Sequence, residues 1–230
     1  MLCLSDLIKD ETLWFHNYGL VILGALAENY LKYTKEVTDL LEGLCPERVY
    51  INDEWLNGNI KAMVKPANGS HTSYAYYPPE YLKGQKWDAT CSVFAVFAIA
   101  YKVLTGELPF IGNVPEELLA SEEGIKYIEK KRNEGILNVQ NIPTVFRYFM
   151  IKGLMLKKEE RYNTIGDTAD DYSELSDRFH DEYGKDDTLD VDDESDFLQP
   201  DFEKMFAQRL PDFVLNVQKA ESGSLDNLVG

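Results

Sequence analysis

From Ala89 to Leu104 the sequence runs Ala-Thr-Cys-Ser-Val-Phe-Ala-Val-Phe-Ala-Ile-Ala-Tyr-Lys-Val-Leu, apolar nearly all the way round a helical wheel. A helix of that kind has no face suited to water and has to lie inside other structure. The chain is therefore expected to wrap several elements around one central helix, and 230 residues are enough for one core with an appendage. Gly106 stops the helix and Pro109 follows it. The longest apolar run, Val93 to Leu104, holds Lys102 and is too short to cross a bilayer. Asp6, Asp10 and Glu11 stand where a signal peptide needs a basic end.

The elements around that helix read as mainly α. Leu13, Leu20, Leu23, Leu26, Ala27 and Leu31 repeat at three- and four-residue steps, which predicts a helix over about 12–34. Val49, Tyr50 and Ile51, the turn-like Asn57-Gly58-Asn59, and then Ile60, Ala62 and Val64 predict one short β-hairpin. Residues 66–79, with Pro66, Gly69, Pro78 and Pro79, read as an irregular loop. Two further helices are expected at about 115–134 and 143–156, the second with Pro143 in its first turn.

Charge divides the chain. Gly166 to Glu203 carries 16 acidic and 2 basic residues, whereas the rest is nearly balanced within a net charge of −17. The expected organisation is a globular part over 1–165, an acidic-faced docked helix over 166–183, an acidic linker over 184–199, and a short helix and tail over 200–230. Tyr172, Leu175, Phe179 and Tyr183 form the docking stripe of the second segment. Phe202, Met205, Phe206 and Leu210 mark the last helix. Such an acidic chain repels polyanions, so nucleic acid and anionic membranes are not expected partners. A protein with a basic surface is, met by Asp186, Asp187, Asp190, Asp192, Asp193, Glu194 and Asp196. The chain's own helix with Lys126, Lys130, Lys131 and Arg132 is a second basic surface for that segment to meet. Cys3, Cys45 and Cys91 are odd in number and contain no C-x-x-C pair, so neither a disulfide framework nor a zinc ribbon is supported. A reducing, cytoplasmic location is the expectation.

Several separated stretches resemble the large, C-terminal lobe of the eukaryotic-type protein kinases. Tyr77-Pro78-Pro79-Glu80 resembles the A-P-E motif closing the activation segment, and Asp88 opens the central helix where that family has D-x-W-S-x-G. Leu104-Thr105-Gly106-Glu107-Leu108-Pro109-Phe110 is similar to the end of that helix and is the most specific match. Leu156 to Thr164 resembles the segment whose arginine, here Arg161, pairs with the A-P-E glutamate. Leu44 to Ile51, with Pro46-Glu47-Arg48, resembles the end of the catalytic loop, and Leu4 to Ile8 the helix after the hinge. The resemblance covers about residues 4–165. It implies a kinase-like C-lobe without the small N-lobe, a buried Glu80–Arg161 salt bridge, and Asp88 capping the central helix while facing the 40–48 turn. Gly106, Pro109 and Phe110 take structural roles.

The same resemblance shows where phosphoryl-transfer chemistry is missing. Such transfer needs carboxylate-held metal, a base near the acceptor hydroxyl, and a lysine and glycine-rich loop on the phosphates. Aligned on Pro46, the catalytic aspartate position is Gly43 and the metal-binding asparagine position is Arg48. Aligned on Ile60-Lys61, the D-F-G positions are Val64, Lys65 and Pro66. Asp39 and Glu42 lack the spacing of a displaced base. The loop and lysine belong to a lobe preceding residue 1, for which the chain is read as having no room. His16, His71 and His180 form no motif, and Asp190 to Asp196 lacks the glycine and final glutamate of a calcium loop. The expectation is an inactive pseudokinase-like binding or scaffold module that uses no ATP, metal or other cofactor. The alternatives are half of a split or rebuilt kinase completed by a partner chain, and an acidic inhibitor or mimic.

Overall fold

A computed structural model of the protein describes residues 1–9, 18–30, 34–52, 61–67 and 73–183. The fold is mainly helical, with a small three-stranded antiparallel sheet. Its elements are β1 (Leu2–Cys3), α1 (Leu4–Lys9), α2 (Tyr18–Asn29), α3 (Lys35–Leu41), β2 (Val49–Ile51), β3 (Ala62–Val64), α4 (Pro79–Leu82), α5 (Ala89–Thr105), α6 (Glu122–Glu134), α7 (Thr144–Gly153) and α8 (Thr168–Tyr183).

The expected central helix is α5. Every residue from Cys91 to Thr105 is buried, because the sequence offers water no face. Asp88 sets its start with an extended backbone, and Gly106, at φ 74°, ends it. α2 lies along α5 at a distance only glycine allows: a Cβ on Gly19 would stand 2.5 Å from the Ala100 carbonyl oxygen. α7 packs on another side, and Phe94, Phe97, Tyr101 and Phe149 are among the largest fully buried side chains.

The expected hairpin forms, with Val49 opposite Val64, Tyr50 opposite Met63 and Ile51 opposite Ala62. Its turn, within 53–60, lies outside the described residues. β1 adds a third strand, pairing Leu2 with Ile51 and Cys3 with Tyr50, which two residues cannot announce by alternation. α2 braces the sheet: the Asn29 amide donates to the Ala62 carbonyl at 2.5 Å, and the Val64 N–H donates to the Tyr30 hydroxyl at 3.1 Å.

Several expected boundaries move, each for a local reason. α2 ends at Asn29, because Thr34 takes an extended backbone and starts α3, its side chain accepting from the Val37 N–H at 3.3 Å. α3 went unpredicted, and residues 10–17 and 31–33 lie outside the described residues. The helix expected over 115–134 is split into a 3-10 turn at Glu116–Leu119 and α6, because Ser121 turns extended to accept from the Gly124 N–H at 3.1 Å. α7 stops at Gly153, and Pro143 is its cap and not a first-turn residue. Inside the expected irregular loop, Ser73 caps a 3-10 turn at Tyr74–Tyr76 and Pro79 opens α4, while 68–72 lies outside the described residues.

α8 occupies the expected docked segment. Tyr172 packs between Phe146 and Phe149, at 6.1 and 6.2 Å between ring centroids, and against Gly24 of α2. The Tyr162 hydroxyl donates to Asp171 at 2.7 Å. The side chains of Phe179 and Tyr183, the linker 184–199 and the helix and tail expected over 200–230 lie outside the described residues.

Candidate functional site

The turn between α3 and β2 holds the first group of singled-out residues. Gly43 sits at φ 67°, and a Cβ there would stand 3.0 Å from the Tyr77 hydroxyl, so the position suits glycine and carries no functional group. Arg48 is buried and used internally. Its Nε donates to the Lys65 carbonyl at 3.0 Å, and its two Nη atoms donate to the Glu42 and Leu40 carbonyls. The guanidinium thus ties the turn to the residue that follows β3. Val64 is buried at the end of β3, Lys65 lays its ammonium 3.5 Å from the Tyr50 ring centroid, and Pro66 is exposed. Tyr81 donates to the Glu42 carboxylate at 3.1 Å.

A second group surrounds the start of α5. Arg161 donates to both Glu80 oxygens, at 2.5 and 2.8 Å, and Glu80 and Arg161 are both buried. The remaining guanidinium protons reach the carbonyls of Met155, Leu156 and Thr90. Holding Met155 and Leu156 in a turn is why α7 cannot run on to 156. Burial alone would raise the Glu80 pKa, but the hydrogen bonds and charge of Arg161 more than offset it, and the carboxyl lies below its ordinary value. Asp88 caps α5 by accepting from the Cys91 N–H at 3.1 Å and from the Thr90 hydroxyl at 2.7 Å. Its other oxygen lies 3.5 Å from Lys158. Beyond α5, Pro109 and Phe110 are buried, and Phe110 takes φ 67° inside the bridge between Leu108 and Gly112.

Arg132 corrects the picture of a basic α6 surface. It is 3% exposed, donates to the Ala75 carbonyl at 2.8 Å and lies 4.9 Å from the Phe94 ring centroid. Among the described residues its Nε and Nη1 have no hydrogen-bond partner. Burial, with Arg161 nearby, pushes its pKa down to about 9. Lys131 pairs with Glu134, so the face offered to an acidic segment is weaker than the sequence alone suggests. The acidic residues from Asp186 to Asp196 lie outside the described residues.

A cleft of about 980 Å³ opens between α1, the Pro46–Arg48 turn, the C-terminal end of α5 and residues 113–120. Tyr76, fully buried at its base, donates to Glu116 at 2.8 Å. Lys102 is 9% exposed and donates to the Gly106 carbonyl at 2.8 Å. Burial raises the Glu116 pKa, against the Tyr76 hydrogen bond and the Lys102 charge, and burial lowers that of Lys102. Glu47 receives a long 3.4 Å bond from the Ser5 hydroxyl on one oxygen, while its other oxygen is closed off with no partner among the described residues. Sequence reading missed this site. Its one visible signal was Lys102, a charge inside an otherwise apolar helix, for which a buried lysine needs a reason.

Among the described residues no group of three or more His, Cys, Asp or Glu side chains gathers as a metal site, the three cysteines are free, and no helix is long and apolar enough to cross a membrane. No family model matches the chain.

Proposed function

We propose that the chain is a catalytically inactive, kinase-like module that binds a protein partner. One contrast supports the reading. The residues that hold such a lobe together are engaged as the resemblance implies, Glu80 with Arg161 and Asp88 at the start of α5, while the positions of the chemistry carry Gly43 at a positive φ, Arg48 committed to three backbone carbonyls, and the Val64-Lys65-Pro66 triplet. Neither a base nor a metal carboxylate stands at those positions. The partner presents a basic surface, attracted by the acidic residues between Asp186 and Asp196, and the protein works in the reducing cytoplasm, where cysteines stay unpaired.

The test is a melting titration with ATP and magnesium. A ligand binding only the folded state at 100 times its dissociation constant adds about 2.7 kcal/mol, an easily visible shift. No shift and no phosphate transfer is the expected result. A magnesium-dependent shift or autophosphorylation would overturn the reading in favour of a split or rebuilt kinase. The acidic part is tested by deleting 184–199, which is expected to leave the melting temperature of the lobe unchanged and weaken capture of a basic protein at low salt.

A further inference from the structure

The three-stranded sheet turns one face to the core and leaves the other open. Alternation along the strands points Val49, Ile51, Ala62 and Val64 inward, where all four are buried. The strand register lines up Cys3, Tyr50 and Met63 in one row across the outer face. Met63 is 42% exposed, and Cys3 and Tyr50 are half-buried. Backbone pairing runs on past β3 at both ends, from Asn52 to Lys61 and from Lys65 to Arg48. Lys61 and Lys65, two residues either side of Met63, therefore share its face, and both are exposed. Among the described residues no ion pair includes either lysine. Residues 1–3, 49–52 and 61–65 contain no Asp or Glu.

In a chain of net charge −17, an apolar row flanked by two lysines calls for an occupant that is apolar and acidic together. The lysines of α6 are placed differently. Lys126 and Lys130 share their groove with Glu129 and Glu134, so the charges cancel, and no apolar side chain lines it.

The chain's own C-terminal segment has the matching chemistry. Asp201 and Glu203 flank Phe202, and Phe202, Met205, Phe206 and Leu210 fall at helical spacing. These residues lie beyond the described ones, which end at Tyr183. The 18 residues between Tyr183 and Phe202 span up to about 60 Å when extended. α8 already packs beside the support of the sheet, since Tyr172 lies on Gly24 of α2 and the end of α2 holds β3 through Asn29 and Tyr30. Reach is no barrier, and a tether of this kind gives the segment an effective concentration on the order of millimolar, an advantage a separate chain lacks. We propose that residues 201–210 dock on the outer face of the sheet of the same chain, with the apolar stripe over Tyr50 and Met63 and the flanking acids toward Lys61 and Lys65. A segment held there shields an apolar face from other chains. The contact is independent of whether the lobe binds nucleotide.

The experiment places the photo-cross-linker p-benzoylphenylalanine at position 206 of the full chain and maps the products by mass spectrometry. Cross-links within the monomer, from 206 to residues 1–3, 49–52 or 61–65, are expected. Combining Lys61→Glu with Lys65→Glu should lower their yield about threefold or more, because like charges then face each other. All three outer positions on β3 and its flanks are exposed, so the lobe keeps its melting temperature, and Met63→Glu is a second variant expected to act the same way. Cross-links confined to a covalent dimer would give the face to a second copy and overturn the proposal. So would cross-links to other surfaces, equal yields in parent and variants, or no cross-link at all.

Discussion

Arg161 meets Glu80 through two hydrogen bonds, 2.5 and 2.8 Å long, across 81 residues of sequence, with both side chains buried. The same guanidinium closes three backbone carbonyls, so it anchors the ends of α4, α5 and α7 to one point. Removing one member strands the other as a buried charge, at about 3–5 kcal/mol. Arg161→Ala is expected to lose stability of that order in urea unfolding; a loss under about 1 kcal/mol, the level of an exposed pair, would mean that water reaches the site.

Arg132 lies against the same Phe94 ring with no carboxylate among the described residues in hydrogen-bond contact, and the opposite result is expected. Replacing an unsatisfied buried charge by an apolar side chain of similar length is often neutral or stabilising. Arg132→Met should change unfolding stability by less than about 1 kcal/mol or raise it, whereas Arg161→Met should cost about 3–5 kcal/mol. Equal losses in the two variants would refute the distinction.

Acid titration separates a buried carboxylate, Glu80, from a half-buried one, Glu116, whose shifts have opposite sign. The Glu80 pKa is below the ordinary 4.5, so its contribution is complete above that pH and is lost as pH falls from 4.5 through the lower folded value. Glu116 is raised, so its folded state holds a proton longer, and its contribution is complete below 4.5 and lost as pH rises through the folded value. Glu116→Gln should therefore be more stable than the parent at pH 7, with the difference shrinking toward pH 4. Chemical unfolding at both pH values checks this, and a difference that grew on acidification would contradict the raised Glu116.

Asp88→Ala removes the acceptor for the Cys91 N–H and should cost about 1 kcal/mol, while Asp88→Asn, which still accepts, should cost a few tenths. If both lost the same, the Lys158 contact and not the cap would be what matters.

Gly43→Ala places a Cβ at φ 67° and 3.0 Å from the Tyr77 hydroxyl. A left-handed backbone costs an ordinary residue about 1–2 kcal/mol, and the contact adds to that. The expected outcome is a loss of at least that size, measured by thermal unfolding. An unchanged melting temperature would show that this turn relaxes freely.

What the amino-acid order settled by itself is local or strongly patterned. The apolar run from Val93 to Leu104 has no wet face and had to become the buried centre, with Asp88 and Gly106 as its natural ends. The pattern around Val49–Ile51 and Ala62–Val64 carried the hairpin, while its register came from the folded structure. The pairing of Glu80 with Arg161 was legible only through resemblance, since nothing local joins residues so far apart. Other features depended on competition between distant groups. Ser121 and Thr34 take capping conformations that cut longer periodic runs, and Arg161 holds the carbonyls of Met155 and Leu156 and so shortens α7. Arg132 reads as one more surface cation until α6 turns it onto Phe94, because the helix rotation that buries Ile128 also buries it. Tertiary packing alone brought Glu47, Lys102 and Glu116 to one cleft, since the three sit on separate segments whose approach is set by how α1 and residues 113–120 pack around the end of α5.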